Sequence, residues 1–267
     1  MGDLKVLTAI TREVSARIGN CELTYLARAE IDLDRARAQH RAYCQALSNS
    51  GCEVFELPAE PDLPDSVFVE DTAIVLDEVA VVARPGVESR LPETVSLARV
   101  LARHRSLVRI EDPGTLEGGD VLRIGARLYV GRSGRTNPEG IRQLQVLTAR
   151  FGYVVQPVEV QGCLHLKSAV TQVGREALLF NPGWIPAAAF GGLHLIPVDP
   201  REPYGGNALW LGGRVLYPAS FPRTRERLEA RGIGTTALDV SELQKAEGAL
   251  TCCSLIFEGE RTSAGGG

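Results

Sequence analysis

Lysine is nearly absent from this chain of 267 residues: of 29 basic residues only Lys5, Lys167 and Lys245 are not arginine. Such a bias fits the codon usage of a G+C-rich genome and does not by itself indicate a guanidinium-based function. The 33 acidic residues leave a formal net charge of −4, so composition gives no sign of the basic face that nucleic-acid binding needs. No apolar run reaches the ~18 residues that span a bilayer, which excludes a membrane role by a helical span. The opening run Met1-Gly2-Asp3-Leu4-Lys5-Val6 lacks the apolar stretch of a secretory signal, and Val6 stands where a myristoylation signal on Gly2 requires Ser or Thr. A cytoplasmic protein is expected. Among the six cysteines, Cys21, Cys44, Cys52, Cys163, Cys252 and Cys253, there is no C-x-x-C pair, which removes the usual support for a structural zinc site. They are also too sparse for a disulfide scaffold, and most are expected to be free thiols.

What is present is an internal repeat. Asp71-Thr72-Ala73-Ile74-Val75-Leu76 turns at Asp77-Glu78 into Val79–Ala83, followed by a helix-period stretch over about 92–104 and a strand over 107–110. Asp120–Ile124 turns at Gly125-Ala126 into Arg127–Gly131, followed by a helix over about 138–150 and a strand over 153–157. The same grammar of strand, tight turn, strand, helix, strand recurs from Ser168 and from Asn207, and a last strand starts beside Cys253. The intervals between these starts are 49, 48, 39 and 46 residues. The chain's beginning supplies what the last unit lacks: a strand over 6–10, a helix over 32–50 and a strand over 53–57. The expectation is a single α/β domain over 1–267, a five-fold propeller of ββαβ-type units. Its fifth unit would be closed by both chain ends, with residues 260–267 as a flexible tail. The competing reading is an α/β chain whose similar intervals are coincidence.

In a ring of repeats, equivalent positions face one centre. The repeat starts carry Glu70-Asp71, Glu117-Gly118-Gly119-Asp120, His165 and Cys252-Cys253. Such a set can make a nucleophile, a base and a clamp for a cation. Each member also has a plain structural reading. Asp71 and Asp120 can bond the local backbone, as Asx residues do, and for Asp120 that reading is preferred. Of the paired cysteines, strand alternation allows only one to face the centre.

The runs Pro64-Asp65-Ser66-Val67-Phe68-Val69-Glu70-Asp71, Leu116-Glu117-Gly118-Gly119-Asp120-Val121-Leu122, Arg135-Thr136-Asn137, Leu164-His165-Leu166-Lys167-Ser168 and Leu250-Thr251-Cys252-Cys253-Ser254 together resemble the dimethylarginine dimethylaminohydrolase family. The likeness extends over about residues 20–257, and the family's fold is the five-fold α/β propeller, or pentein. The resemblance implies Cys252 as nucleophile, His165 as general acid and base, and Glu117 as their supporting carboxylate. It places Glu70 and Asp71 at the substrate guanidinium and Asp65 by its amino end. Arg90 and Arg135 would hold the α-carboxylate, and the backbone carbonyls of Leu23 and Ala246 would meet the α-amino group. Phe68 would supply an apolar wall. Ala246 stands where relatives have Val or Ile, and Glu247, in the same wall, where they often have Asp.

The implied reaction converts Nω-methylated arginines, asymmetric dimethylarginine and monomethylarginine, to citrulline and methylamines. It needs no metal and no organic cofactor. The partner is a small-molecule methylarginine, with no nucleic acid and no membrane; the oligomeric state is left open, a homodimer among the options. The rivals are an arginine deiminase or other guanidine hydrolase, an amidinotransferase, and a non-catalytic binding protein. A zinc protein using Cys163, His165, Cys252 and Cys253 is a further one, although Cys163-x-His165 is poor chelate spacing.

Overall fold

The computed structural model describes residues 5–260. Strand β1 (Lys5–Arg12) leads through a long loop to helix α1 (Leu33–Asn49) and on to β2 (Cys52–Leu57). The helix begins at the expected place because the Asp32 carboxylate caps it, accepting the Arg35 N–H at 3.0 Å. Ala36, Gln39, His40, Tyr43 and Leu47 recur at the helical period and form its buried face.

The second unit is β3 (Ala73–Val75), β4 (Val79–Val82), α2 (Glu93–Leu101) and β5 (Ser106–Arg109). The third is β6 (Val121–Ile124), β7 (Arg127–Arg132), α3 (Pro138–Ala149) and β8 (Val154–Glu159). The fourth opens on the single turn α4 (Leu166–Ala169) and continues with β9 (Val170–Gly174), β10 (Ala177–Phe180) and β11 (His194–Pro197). A short 3₁₀ turn, Ala187–Phe190, stands where its neighbours have a helix, which accounts for the shortest repeat interval. The fifth is β12 (Leu209–Trp210), β13 (Val215–Pro218), α5 (Pro222–Glu229) and β14 (Thr235–Leu238), before the short α6 (Ser241–Gln244) and β15 (Leu255–Glu260).

These strands make five three-stranded sheets, each with an antiparallel pair followed by a parallel one. The first sheet is β15-β1-β2, so it draws on both ends of the described chain.

The central strand of each sheet is buried on both faces, which is why these strands read as near-continuous apolar runs. Val79 and Val81 of β4 enter a core shared with the third sheet, whereas Ala80 enters one shared with the first. Leu128 and Val130 of β7 face the second sheet's side, and Tyr129 faces the fourth's. Leu178 and Phe180 of β10 pack toward the third sheet and Leu179 toward the fifth. The fifth core joins Leu216 of β13 to Ala9 of β1 and the apolar face of α1. Leu128 and Leu144 are fully buried in the core of the second and third sheets, and truncating either to Ala would cost about 2–5 kcal/mol.

One local expectation is corrected. The residues read as strand starts, Asp71, Asp120, Ser168 and Cys253, lie on helical turns just before β3, β6, β9 and β15. Apart from Glu260, which ends β15, the expected tail over 260–267 lies outside the described residues. Among the described residues, no helix is long and apolar enough to cross a membrane.

Candidate active site

Four helical turns position the chemistry-bearing side chains: Val69–Thr72, Gly118–Asp120, α4 and Thr251–Cys253. Each closes with a backbone bond across three residues, from Asp71 to Phe68, Asp120 to Glu117, Ser168 to His165 and Ser254 to Thr251. Glycine lets the turns meet. A Cβ on Gly118 would lie 1.9 Å from the Glu70 carbonyl oxygen. One on Gly119 would lie 2.6 Å from both Asp71 Oδ1 and His165 Nδ1. The Glu-Gly-Gly-Asp run is therefore a steric requirement for packing a carboxylate against a histidine. The Gly119 N–H completes the junction by donating to Asp71 Oδ1 at 3.1 Å.

His165, Asp71 and Cys252 line one narrow cavity together with both expected arginines, Arg90 and Arg135. Asp65, Phe68, Ala246 and Glu247 complete its wall. Three expected residues lie off the cavity. Glu117 is fully buried behind His165, with Oε2 2.6 Å from His165 Nε2. Glu70 turns to the opposite side, where it accepts from Lys167 Nζ at 2.5 Å and Thr251 Oγ1 at 2.8 Å. Leu23 is partly buried against the core under α1.

The paired cysteines separate, though through a 3₁₀ turn and not by strand alternation. Cys252 reaches the cavity, whereas Cys253 is buried in the core and donates its S–H to the Ala249 carbonyl. Asp120 also differs from the local Asx reading: it accepts from Ser133 Oγ, Thr136 Oγ1 and the Leu166 N–H, tying the third unit to α4.

Electrostatics divides the site in two. On one side, Arg90 donates to Asp71 and Glu93, each at 2.9 Å, and Arg135 Nη1 lies 3.4 Å from Glu117 Oε1. Burial disfavours the His165 imidazolium, yet the carboxylates of Asp71, Glu117 and Asp120 outweigh it and lift its pKa to about 9. Burial also works against the Glu117 carboxylate, but the His165 hydrogen bond and the two arginines hold its pKa below the usual range. On the other side, burial and then the charges of Asp71 and Glu70 push the Cys252 thiol well above its ordinary range. Fixed charge thus favours the charged form of His165, and burial the neutral form of the Cys252 thiol.

Asp71, Glu117 and His165 are close enough to ligate one metal ion. The arginines already bonded to Asp71 and Glu117 supply the positive charge such an ion would bring, so the donor set fits ion pairing better than metal binding. Among the described residues, Cys163, His165, Cys252 and Cys253 do not come together as a metal-binding set.

Sequence reasoning gave Glu247 a place in the wall but not its main contact. Its φ is +57°, and its carboxylate accepts backbone N–H groups from Thr24 at 3.0 Å, Leu26 at 2.6 Å and Tyr25 between them. It ties the loop at 24–26 to the segment that precedes Cys252. Glu93, Lys167 and Thr251 also bond to expected site residues, Arg90 and Glu70, although no sequence motif singles them out. The three-residue spacing of Arg90 and Glu93 is a signal that could have found the first of these pairs.

No family model matches the chain. It is 36% identical over 228 residues to the N(G),N(G)-dimethylarginine dimethylaminohydrolase of Pseudomonas aeruginosa, covering 85% of this chain and 90% of that one. It is 40% identical over 251 residues to the protein of that name from Streptomyces coelicolor, covering 92% and 95%. A crystal structure of a dimethylarginine dimethylaminohydrolase histidine-to-glycine variant, in adduct with S-methyl-L-thiocitrulline, superposes with a TM-score of 0.90 at 33% identity, covering 94% of this chain and 100% of that one.

Proposed function

The chain belongs to the dimethylarginine dimethylaminohydrolase family, and from that membership we propose that it hydrolyses Nω-methylated arginines to citrulline and methylamines through a covalent intermediate on Cys252. The observation that carries this reading is the cavity on which Cys252, His165 and Asp71 converge with two arginines.

A guanidinium carbon is a weak electrophile because its charge is delocalised. Asp71 would hold the cation by charge-assisted hydrogen bonds. The same cation offsets the two carboxylates that raise the Cys252 thiol, so when substrate arrives the thiol gives its proton to solvent and becomes the thiolate. The sulfur attacks the guanidinium carbon. His165, already an imidazolium, gives its proton to the departing methylamine and leaves a thiouronium on sulfur. Neutral His165 then takes a proton from water and hydroxide adds to the same carbon; as the C–S bond breaks the new hydroxyl loses its proton to solvent, releasing citrulline and the Cys252 thiolate. Glu117 keeps the ring oriented and stabilises its charged form. Arg135, whose ion pair with Glu117 is the longer one, is freer than Arg90 to meet the substrate α-carboxylate.

We also read the whole chain as one five-fold α/β propeller. The support is that each apolar core is shared by two sheets consecutive in the chain, and that a further core joins the fifth sheet to the first. The six free thiols suit a reducing compartment such as the cytoplasm.

Citrulline formation from asymmetric dimethylarginine, monomethylarginine, symmetric dimethylarginine and arginine tests the substrate class. The methylated and asymmetric compounds should give the highest kcat/KM. A value for arginine at or above that for asymmetric dimethylarginine would move the protein to a deiminase.

A further inference from the structure

Away from the cavity of Cys252, a second group of side chains is arranged for chemistry that methylarginine hydrolysis does not use. His40 and Cys44 lie one helical turn apart on α1, and Glu56 comes from the neighbouring strand β2. Their donor atoms form a small triangle. His40 Nδ1 lies 3.3 Å from Glu56 Oε1, Cys44 Sγ lies 3.8 Å from His40 Nδ1, and Cys44 Sγ lies 3.6 Å from Glu56 Oε1.

We propose that His40, Cys44 and Glu56 form a binding site for a zinc-type divalent cation. The argument is one of size. Tetrahedral zinc, with bonds of about 2.0–2.1 Å to nitrogen, about 2.0–2.2 Å to oxygen and about 2.3 Å to sulfur, sets its ligands about 3.4–3.6 Å apart. The three observed edges lie within about 0.2 Å of that range. The donor set is also of the right kind: an imidazole, a thiol that loses its proton on ligation, and a carboxylate suit a borderline cation better than calcium or magnesium, which take oxygen ligands. A spacing of four residues on one helix puts both α1 donors on the same face without rearranging the backbone. His40 is 2% exposed, so its ring is held by packing, while the Glu56 side chain is 38% exposed and gives access to solvent. His40 and Glu56 also border a cleft shared with Glu13, Arg37 and Arg41, from which water would supply the fourth ligand. An ion here would cross-link α1 to β2.

The test is zinc titration of chelator-treated full-length protein carrying Cys252→Ser, which removes the thiol of the catalytic cavity. Binding of one zinc per chain is expected, with a rise in Tm. Cobalt in its place should give tetrahedral visible bands and a thiolate-to-metal charge-transfer band. Adding Cys44→Ala should remove the charge-transfer band and weaken zinc binding at least tenfold. Glu56→Gln, at an exposed position that leaves the fold intact, should weaken binding while retaining the sulfur band. No zinc bound at micromolar concentration would overturn the proposal. So would stoichiometry and spectra unchanged by Cys44→Ala and Glu56→Gln, which would place the ion at His165 or elsewhere.

Discussion

His165 lies 2.6 Å from Glu117, with Arg90 and Arg135 sharing the surrounding carboxylates; His40 lies 3.3 Å from Glu56, with Cys44 where the first cluster has its arginines. Both groups contain a histidine and a carboxylate, and both lie near a cysteine. In the first, fixed negative charges favour the imidazolium against the effect of burial, and Cys252 lines the same cavity. In the second, the sulfur itself is one corner of the triangle, the carboxylate reaches solvent, and the edges suit a metal. The comparison teaches that residue types alone do not assign chemistry. The surrounding charges differ: Arg90, Arg135, Glu93 and Asp120 cluster around the first pair, and such charges decide which form of a histidine is favoured.

The largest contrast should come from the cysteines. Cys252→Ser is expected to lower kcat by a factor on the order of 10⁴ or more, as loss of a nucleophile does. Cys44→Ser should leave steady-state citrulline production within about twofold of wild type. Equal losses in the two variants would break the distinction.

A smaller effect should appear in stability against pH. The pKa of His165 is raised in the folded protein to about 9, above its ordinary 6.5. The stabilisation from its charged form is therefore complete below about pH 6.5 and is lost as pH rises through about 9, amounting to about 3 kcal/mol. Urea unfolding at pH 6 and pH 9.5 should show this loss in wild type and a reduced one in His165→Gly. Identical pH dependence in both proteins would mean that the buried cluster is not ionised as described.

The smallest effect concerns Glu247. Replacing it with Gln weakens three backbone contacts to the loop at 24–26, with a cost of about 1 kcal/mol. KM should rise a few-fold with kcat nearly unchanged, and amide exchange at Thr24, Tyr25 and Leu26 should quicken. Unchanged exchange would show that the carboxylate does not hold the loop.

Much of this was legible in the sequence, and the exceptions have physical causes. The doubly buried strands announced themselves as apolar runs such as Val79–Val82 and Leu178–Phe180, and Asp32 marked the start of α1. The helical turns that carry Asp71, Asp120 and Cys252 did not, because a turn of three or four residues is too short to show a period. Asp120 was misread because its partners, Ser133, Thr136 and Leu166, are distant in the chain. The same holds for Glu70 with Lys167 and for Glu247 with the loop at 24–26. Such contacts are set by how the units meet, and nothing local in the sequence records them.

The central claim is that Cys252, and neither Cys253 nor Cys44, carries the covalent intermediate. His165→Gly protein, mixed with S-methyl-L-thiocitrulline, whose methanethiolate departs without a proton from His165, and quenched in acid, should retain the intermediate because water is no longer activated. Peptide mass spectrometry should then find the thiouronium on Cys252 alone, with Cys44 and Cys253 unmodified. An adduct confined to Cys253 or Cys44 would contradict the account.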